Sequence, residues 1–416
     1  MTTVAELGAR LMQRLDEFAR HSDEPGRLTR LYLSPAHKAA VQELTAWMQA
    51  AGLATRLDAA GTVVARYEGA TRGAPALLLG SHIDTIRDAG RYDGNLGVLA
   101  ALGAVEEIVR TGRRLPFAIE ILAFGDEEGV RFPSTLAGSK AVAGTFDPAT
   151  LQGRDAAGVS VAQALAQFGC DAAAIGAEAR RPGDVRAFIE VHIEQGPVLE
   201  AEGLPVGVVT AINGASRFMV GVSGEAGHAG TVPMALRRDA LAAAAEMVLA
   251  VERLPAERPG LVATVGRLEA SPGAVNVIPG QVRFTVDIRA PNDAMRAAAV
   301  DEMAAAFDAI AVRRHVGVTR ERTYDVPATA CDPAIVDGLA AAVARQGLPV
   351  RRLPSGAGHD AMALAALCPV GMVFVRCKGG ISHNPAESIT AEDAGLAVAV
   401  LVDFINNLGI SDTGGR

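Results

Sequence analysis

The chain has 416 residues, 50% of them hydrophobic, which is enough for a large core and too long for one ordinary domain, so two domains are expected. A net charge of -8, with no basic stripe, argues against nucleic acid and anionic membrane as partners. Four cysteines without CxxC spacing point to a reducing, cytoplasmic setting, with neither a disulfide framework nor a thiolate zinc site.

The segment Met1–Gly26 carries acids throughout and no continuous apolar stretch, which reads against a secretory signal, and no later run has the length of a membrane span. Leu7, Leu11, Leu15 and Phe18 recur at helical spacing and predict an opening amphipathic helix. "SPAHKAAVQELTAWMQAAGL" predicts a second, with Ser34 as its cap, Pro35 in the first turn and Gly52 as its stop. Strands and helices then alternate: the strand "ALLLGSH", the helix "NLGVLAALGAVEEIVRTG", and strands within "FAIEILAFGDEEG" and "VRAFIEVHIEQG". This order predicts an α/β domain, a sheet flanked by helices on both faces.

The middle of the chain has a different pattern. "SRFMVGVSG", "LVATVGRLEAS", "QVRFTVDIRA" and "GVTRERTYDV" read as four half-buried strands, with Ala-rich helices over residues 236–253 and 293–312 between them. Two helices on one face of a four-stranded sheet predict a smaller α+β domain over residues 212–327, inserted into a catalytic domain of residues 1–211 and 328–416. The α/β pattern returns with "AMALAAL", the strand "VGMVFVRC" and a final helix after Thr390.

His21, His37 and His315 have plain contexts on helix faces or loops, whereas His82, His192, His228, His359 and His383 sit in Gly-rich or acidic turns. His82 and Asp84 alternate at a strand end and face one way. Asp93, near Asn95 where a helix begins, either caps with it or bridges two metal ions. Asp126, Glu127 and Glu128 follow an apolar run; adjacent acids repel one another unless a cation compensates, and a solvated acidic loop is the plain alternative. His192 ends another apolar strand and His383 lies just after the strand Met372–Val375; each also fits as a satisfied core histidine.

The set says more than its members. Three histidines, one aspartate and one glutamate fall at strand ends of one domain, where open α/β sheets bind ligands. Nitrogen and carboxylate donors without thiolate suit zinc, manganese, cobalt or nickel, and five of them with one bridging carboxylate make a site for two ions. Glu127, left over beside Glu128, stands as a general base toward a water held there. The insert adds His228 between small residues, Asn276 in "GAVNVIPG" and Arg289 at the end of "QVRFTVDIR". Arginine forks a substrate carboxylate, but a surface ion pair for Arg289 and a turn role for Asn276 fit equally.

In order, His82-x-Asp84, Asp93-Gly94, Glu127-Glu128, His192, His228-Ala229-Gly230 and Ser382-His383-Asn384-Pro385 resemble the co-catalytic metallopeptidase and amidohydrolase superfamily. "HIEQGPVLE", "HAGTVPM", "SGAGHDAM" and "ISHNPAE" are similar to the branch containing allantoate amidohydrolases, N-carbamoyl-L-amino-acid hydrolases and yeast-type β-ureidopropionase. The resemblance spans residues 5–408.

It implies a di-metal catalytic domain with an inserted lid and dimerisation domain, and a homodimer. It also implies that His82, Asp93 and His192 hold one divalent ion, Mn2+ or Zn2+ with Co2+ or Ni2+ as alternatives, while the bridging Asp93 holds the second ion with Glu128 and His383. Glu127 becomes the base, Asp84 orients His82, and His228 steadies the oxyanion. Gln195, His228, Asn276 and Arg289, with Arg217 and Gly358, become contacts to a small carboxylate substrate. The implied reaction is hydrolysis of a ureido group by a water activated by Glu127. "HIDTIRDAGRYDG" is similar to the allantoate enzymes, with N-carbamoyl-L-amino acids as the second substrate class. In one departure, Ser216 stands before Arg217 where some allantoate enzymes have a first arginine of a pair. A metallo-aminopeptidase and a metal-stabilised binding protein are the competing classes, and the latter would have no use for Glu127.

Overall fold

The structure, a computed structural model, describes residues 2–408. The chain divides into two compact units: one runs to Thr210 and includes Cys331–Leu353 and the chain from Gly358 on, the other is Ala211–Ala330 with Pro354–Ala357. The segment Pro354–Ala357, expected in the catalytic domain, groups instead with the second unit. Asn213 N donates to Ser355 O at 2.9 Å, and Arg289 Nη1 to Gly356 O at 2.8 Å.

The first unit is built on a mixed sheet. Its strands run, in spatial order, Ala54–Leu57, Val63–Tyr67, Ala118–Phe124, Ala76–His82, Val185–Ile193, Val370–Val375 and Val206–Ile212, the last reaching its final two residues in the second unit. The central four pair in parallel and the flanking ones antiparallel. Every residue of Ala76–His82, Ala118–Phe124 and Val370–Val375 is buried, as parallel strands covered on both faces require. His82 and His192 therefore lie at the carboxyl ends of adjacent parallel strands.

Small residues set how closely the helices approach. The helix Asn95–Arg110 packs on Ala76–His82 and Val185–Ile193, and a Cβ at Gly97 would strike the Val191 carbonyl. Gly97→Ala is expected to lower stability by about 1–3 kcal/mol, because backbone and not a flexible side chain stands in the way. An unchanged denaturant midpoint would show that the helix slides off at no cost.

In the second unit, Gly214–Ser223, Gln281–Ala290 and Gly317–Val326 form an antiparallel sheet with the shorter Leu268–Ser271 and Val262–Thr264, both paired to Gln281–Ala290. Among the described residues this sheet has five strands, not the four expected. The stretch expected as one strand, "LVATVGRLEAS", breaks around Gly266, where Arg267 exchanges backbone bonds with Thr285 and its hydroxyl. The helices Ala240–Arg253 and Asp293–Arg314 pack on this sheet and on each other. Alternation along Gln281–Ala290 turns Val282, Phe284, Val286 and Ile288 into the core and leaves Thr285, Asp287 and Arg289 on the opposite face.

Candidate active site

Two groups of metal-capable atoms meet in the first unit. One ligand atom each from His82, Asp93 and His192 lie within 4.8 Å of one another, and so do those of Asp93, Glu128 and His383. Asp93 belongs to both. Its Oδ1 is 3.5 Å from His82 Nε2 and 3.2 Å from His192 Nε2, and its Oδ2 is 3.5 Å from His383 Nε2. Glu128 Oε2 is 3.5 Å from the same His383 nitrogen, and Glu127 Oε2 reaches to 4.0 Å from His82 Nε2. The outer nitrogens of His82 and His192 meet the Asp84 and Ile193 carbonyls, each at 3.0 Å. In the neutral tautomer those bonds hold the proton on Nδ1 and leave Nε2 as the donor atom to a cation.

The backbone explains why these groups converge. His82 and His192 end buried strands, and Gly94 (φ 66°) has no room for a side chain against the His82 ring. Asp84 lies beyond its strand, in a loop. Its carboxylate is 3.7 Å from His82 Nδ1, but its hydrogen bonds come from the amides of Glu127 and Glu128, each at 3.2 Å. Asp84 thus meets His82 through its backbone carbonyl and fixes the glutamate pair through its side chain. Nor does Asn95 cap the helix. Gly94 is the N-cap, without a side-chain bond, and Asn95 Oδ1 accepts from Arg30 Nη1 at 2.9 Å. Arg30, fully buried, also donates to the carbonyls of Phe18, His21 and Ile83, and burial pulls its guanidinium down to about 9.

The electrostatics are those of a site short of positive charge. Burial, reinforced by Glu128, Asp360 and Asp84, raises the Glu127 carboxyl well above the usual range against the pull of His82. Burial and Asp93 push Glu128 up to about 8. Burial would raise Asp93 too, but when both rings of His192 and His82 carry their second proton on Nε2 they donate to it, outweigh burial and hold Asp93 well below the carboxylate norm.

In the second unit, Gly227–His228 pairs with Val277–Ile278, which sets the exposed His228 and Asn276 on neighbouring segments; Ala229 N donates to Asn276 O at 2.9 Å. Arg217 and Arg289 converge on Asp287. Arg289 Nε and Nη2 grip its two oxygens at 2.9 and 3.0 Å, and Arg217 Nε donates at 2.8 Å. A cavity of about 580 Å³ opens there, its wall including Arg217, Thr264, Thr285, Asp287, Arg289 and Gly356. Ser216 faces away from it, buried and bonded to Asp325 and Arg296. Gly358 is exposed in the first unit.

The sequence pattern of the peptidase family M20/M25/M40 matches residues 78–407. The chain belongs to that family. Its M20/M25/M40 relatives include a probable allantoate deiminase of Oryza sativa subsp. japonica, 44% identical over 94% of this chain and 87% of that protein. An N-carbamoyl-L-amino acid amidohydrolase of Geobacillus stearothermophilus is 41% identical over 95% of this chain and 97% of the relative. Among solved structures, a hydantoinase/carbamoylase family amidase of Burkholderia multivorans superposes with a TM-score of 0.89 at 36% identity, covering 96% of this chain and 97% of the other. As an M20/M25/M40 chain with these relatives, the protein is a hydrolase.

The residues of this M20/M25/M40 chain fit divalent cations by the chemistry of their side chains. The donors are imidazole and carboxylate, and the buried Glu128 Oε1 has no hydrogen-bond partner among the described residues. A further group, Glu190, His192 and His359, shares His192, but both Glu190 oxygens are already bonded, to Ser81 and to the Ala361 amide. Ser382 and Glu387 were given no role by the sequence, and Gln195, expected at the substrate, lies instead on a carboxylate oxygen of Asp93. Ser382 Oγ and Gln195 Nε2 both donate to Asp93 Oδ2 at 2.7 Å, and Glu387 Oε1 accepts from the Tyr92 and Asp93 amides. Their only signal was membership of "HIEQGPVLE" and "ISHNPAE".

Proposed function

We propose that this chain hydrolyses a ureido C–N bond of a small carboxylate substrate, with allantoate favoured and N-carbamoyl-L-amino acids as the second class. The observation that carries the reading is the meeting of His82, Asp93, His192, Glu128 and His383 with Glu127 beside them. His82, Asp93 and His192 would hold one divalent ion, and Asp93, Glu128 and His383 a second, Mn2+ or Zn2+ by donor type, with Co2+ or Ni2+ also compatible. Such ions polarise a carbonyl and lower the pKa of a water.

The remaining roles belong to side chains of this chain. Glu127, whose surroundings give its carboxylate a strong affinity for a proton, takes the proton of the attacking water and passes it to the leaving nitrogen. Asp84 holds the turn that aims Glu127 and Glu128 apart. Arg289 takes the substrate carboxylate, with Arg217, Gln195, Asn276 and Gly358 as further contacts, and His228 stabilises the carbonyl oxygen as charge develops on it. The bond between carbonyl carbon and nitrogen breaks, and the products are ammonia, carbon dioxide and an amine.

Allantoate carries one carboxylate and two ureido groups. The wall of the second-unit cavity carries guanidinium from Arg217 and Arg289, both paired with Asp287, and hydroxyls from Thr264 and Thr285, beside the apolar Phe218, Val262 and Val286. The second class keeps its place because the Geobacillus relative aligns along nearly its whole length. The second unit is also proposed to pair with a second copy: Met234, Leu236 and Val275 are 76%, 74% and 104% exposed, on the segments bearing His228 and Asn276.

The test supplies Mn2+ and measures ammonia from allantoate and from N-carbamoyl-alanine, and amino acid from a dipeptide. Turnover is expected for the ureido compounds, faster for allantoate. Release from the dipeptide alone would replace this reading with a peptidase, and no release from any of the three would end the hydrolytic one.

A further inference from the structure

Glu387 has no part in the chemistry above, yet it is 5% exposed and lies against the centre of the site. Its Oε1 accepts from Tyr92 N at 2.8 Å and from Asp93 N at 3.1 Å. Gly90 makes the approach possible, since a Cβ there would run into the Glu387 side chain. Within its own loop, Glu387 N donates to Asn384 O at 3.0 Å, and Ala386 N to Asn384 Oδ1 at 2.9 Å, so the turn that presents His383 is closed by the same residue.

The contact is not an ordinary helix cap. The helix beginning at Asn95 has Gly94 as its N-cap, and the two amides that Glu387 receives lie upstream of it. What they fix is the backbone of Asp93. The loop of residues 382–387 thus holds Asp93 twice: Ser382 Oγ at the carboxylate and Glu387 at the amide. Groups that orient a ligand in this way commonly weaken metal binding when removed.

We propose that Glu387 is a positioning residue that locks the shared carboxylate of Asp93 to the His383 loop, so that both cation positions form together. This rests on the two-ion reading. The experiment titrates Mn2+ into the metal-free full chain by calorimetry and records thermal midpoints with and without Mn2+, for the wild type, Glu387→Gln, Glu387→Asp and Glu387→Ala. Glu387→Gln keeps an acceptor oxygen in place and is expected within about threefold of wild-type affinity. Glu387→Ala is expected to bind Mn2+ about 10–100-fold more weakly and to lose most of the Mn2+-dependent rise in midpoint. Should Glu387→Ala fail to fold, Glu387→Asp, which keeps the charge but withdraws it by one methylene, is expected to bind about tenfold more weakly.

A merely structural contact would lower the metal-free midpoint and leave Mn2+ affinity unchanged, and that result overturns the role. A wild type that binds no Mn2+ overturns the two-ion reading together with it, whereas wild type and Glu387→Ala binding two ions equally overturns the role of Glu387 alone.

Discussion

Glu127→Gln is expected to retain its divalent ions and to lose about 10²–10⁴-fold in kcat, the span that a positioned general base contributes. The two glutamates of this turn are separated by environment. Glu128 Oε2 lies 3.5 Å from His383 in one ligand group, while Glu127 Oε2 belongs to neither group and stands 4.0 Å from His82. Burial and the neighbouring acids Glu128, Asp360 and Asp84 give the Glu127 carboxyl a strong hold on a proton. The amide of glutamine has the same shape and cannot take one. The Asp84 carboxylate bonds the backbone amide of residue 127, which the substitution preserves, so the turn and Glu128 stay aimed as they are. Metal content by elemental analysis and kcat on a ureido substrate decide the matter. Intact metal with turnover within about tenfold of wild type would mean that another group takes the proton. Lost metal would place Glu127 among the ligands.

The separation of these roles shows what a linear sequence conveys. Residues near the ends of mainly apolar strands were legible, because a buried parallel strand leaves little choice: the strand expected as "ALLLGSH" spans Ala76–His82, and the one expected in "VRAFIEVHIEQG" is Val185–Ile193. Convergence of His82, His192 and His383 followed from where such strands end. Side-chain targets were not legible. Asp84 was expected to face His82 with its carboxylate, yet the strand stops before it and the loop turns its oxygens to the amides of Glu127 and Glu128. Asn95 was expected to cap, but a buried arginine that lies 65 positions earlier claims its oxygen, a pairing no local pattern encodes. Glu387 belongs to the same class, since its partners are 294 and 295 positions away. In the second unit, the stretch expected as one strand, "LVATVGRLEAS", is split around Gly266 into Val262–Thr264 and Leu268–Ser271.

His37 was read as a bland helix histidine, and its burial gives it a large expected pH effect on stability. Its ring is fully buried between Tyr32 and Phe168, with centroids at 5.8 and 5.2 Å. Its Nδ1 accepts from Leu33 N at 2.9 Å, and its Nε2 has no partner among the described residues. Burial, helped by Arg30 and Arg131, lowers its pKa from 6.5 to about 3. The unfolded chain therefore binds a proton near pH 6.5 that the folded chain refuses until about pH 3. The contribution of the neutral ring is complete above the first value and drains away toward the second, at about 1.4 kcal/mol per pH unit and about 5 kcal/mol across the window. Asp58 acts in the opposite sense: burial raises it to about 6, so its contribution is present in acid and lost as pH rises through that value. A pH profile of the wild type mixes the two, and a comparison with His37→Gln separates them. Glutamine can still accept from Leu33 N but carries no titratable ring, so the variant is expected to be less stable than wild type at pH 7.5 by about 1–3 kcal/mol. That gap should then narrow by about 2 kcal/mol by pH 5, because only the wild type pays the proton penalty. A gap of equal size at both pH values, from urea unfolding, would mean that the folded chain protonates His37 as readily as the unfolded one. The ring would then have access to water or to an acceptor at Nε2, contrary to the packing of Tyr32, Phe168 and Gly125 around it.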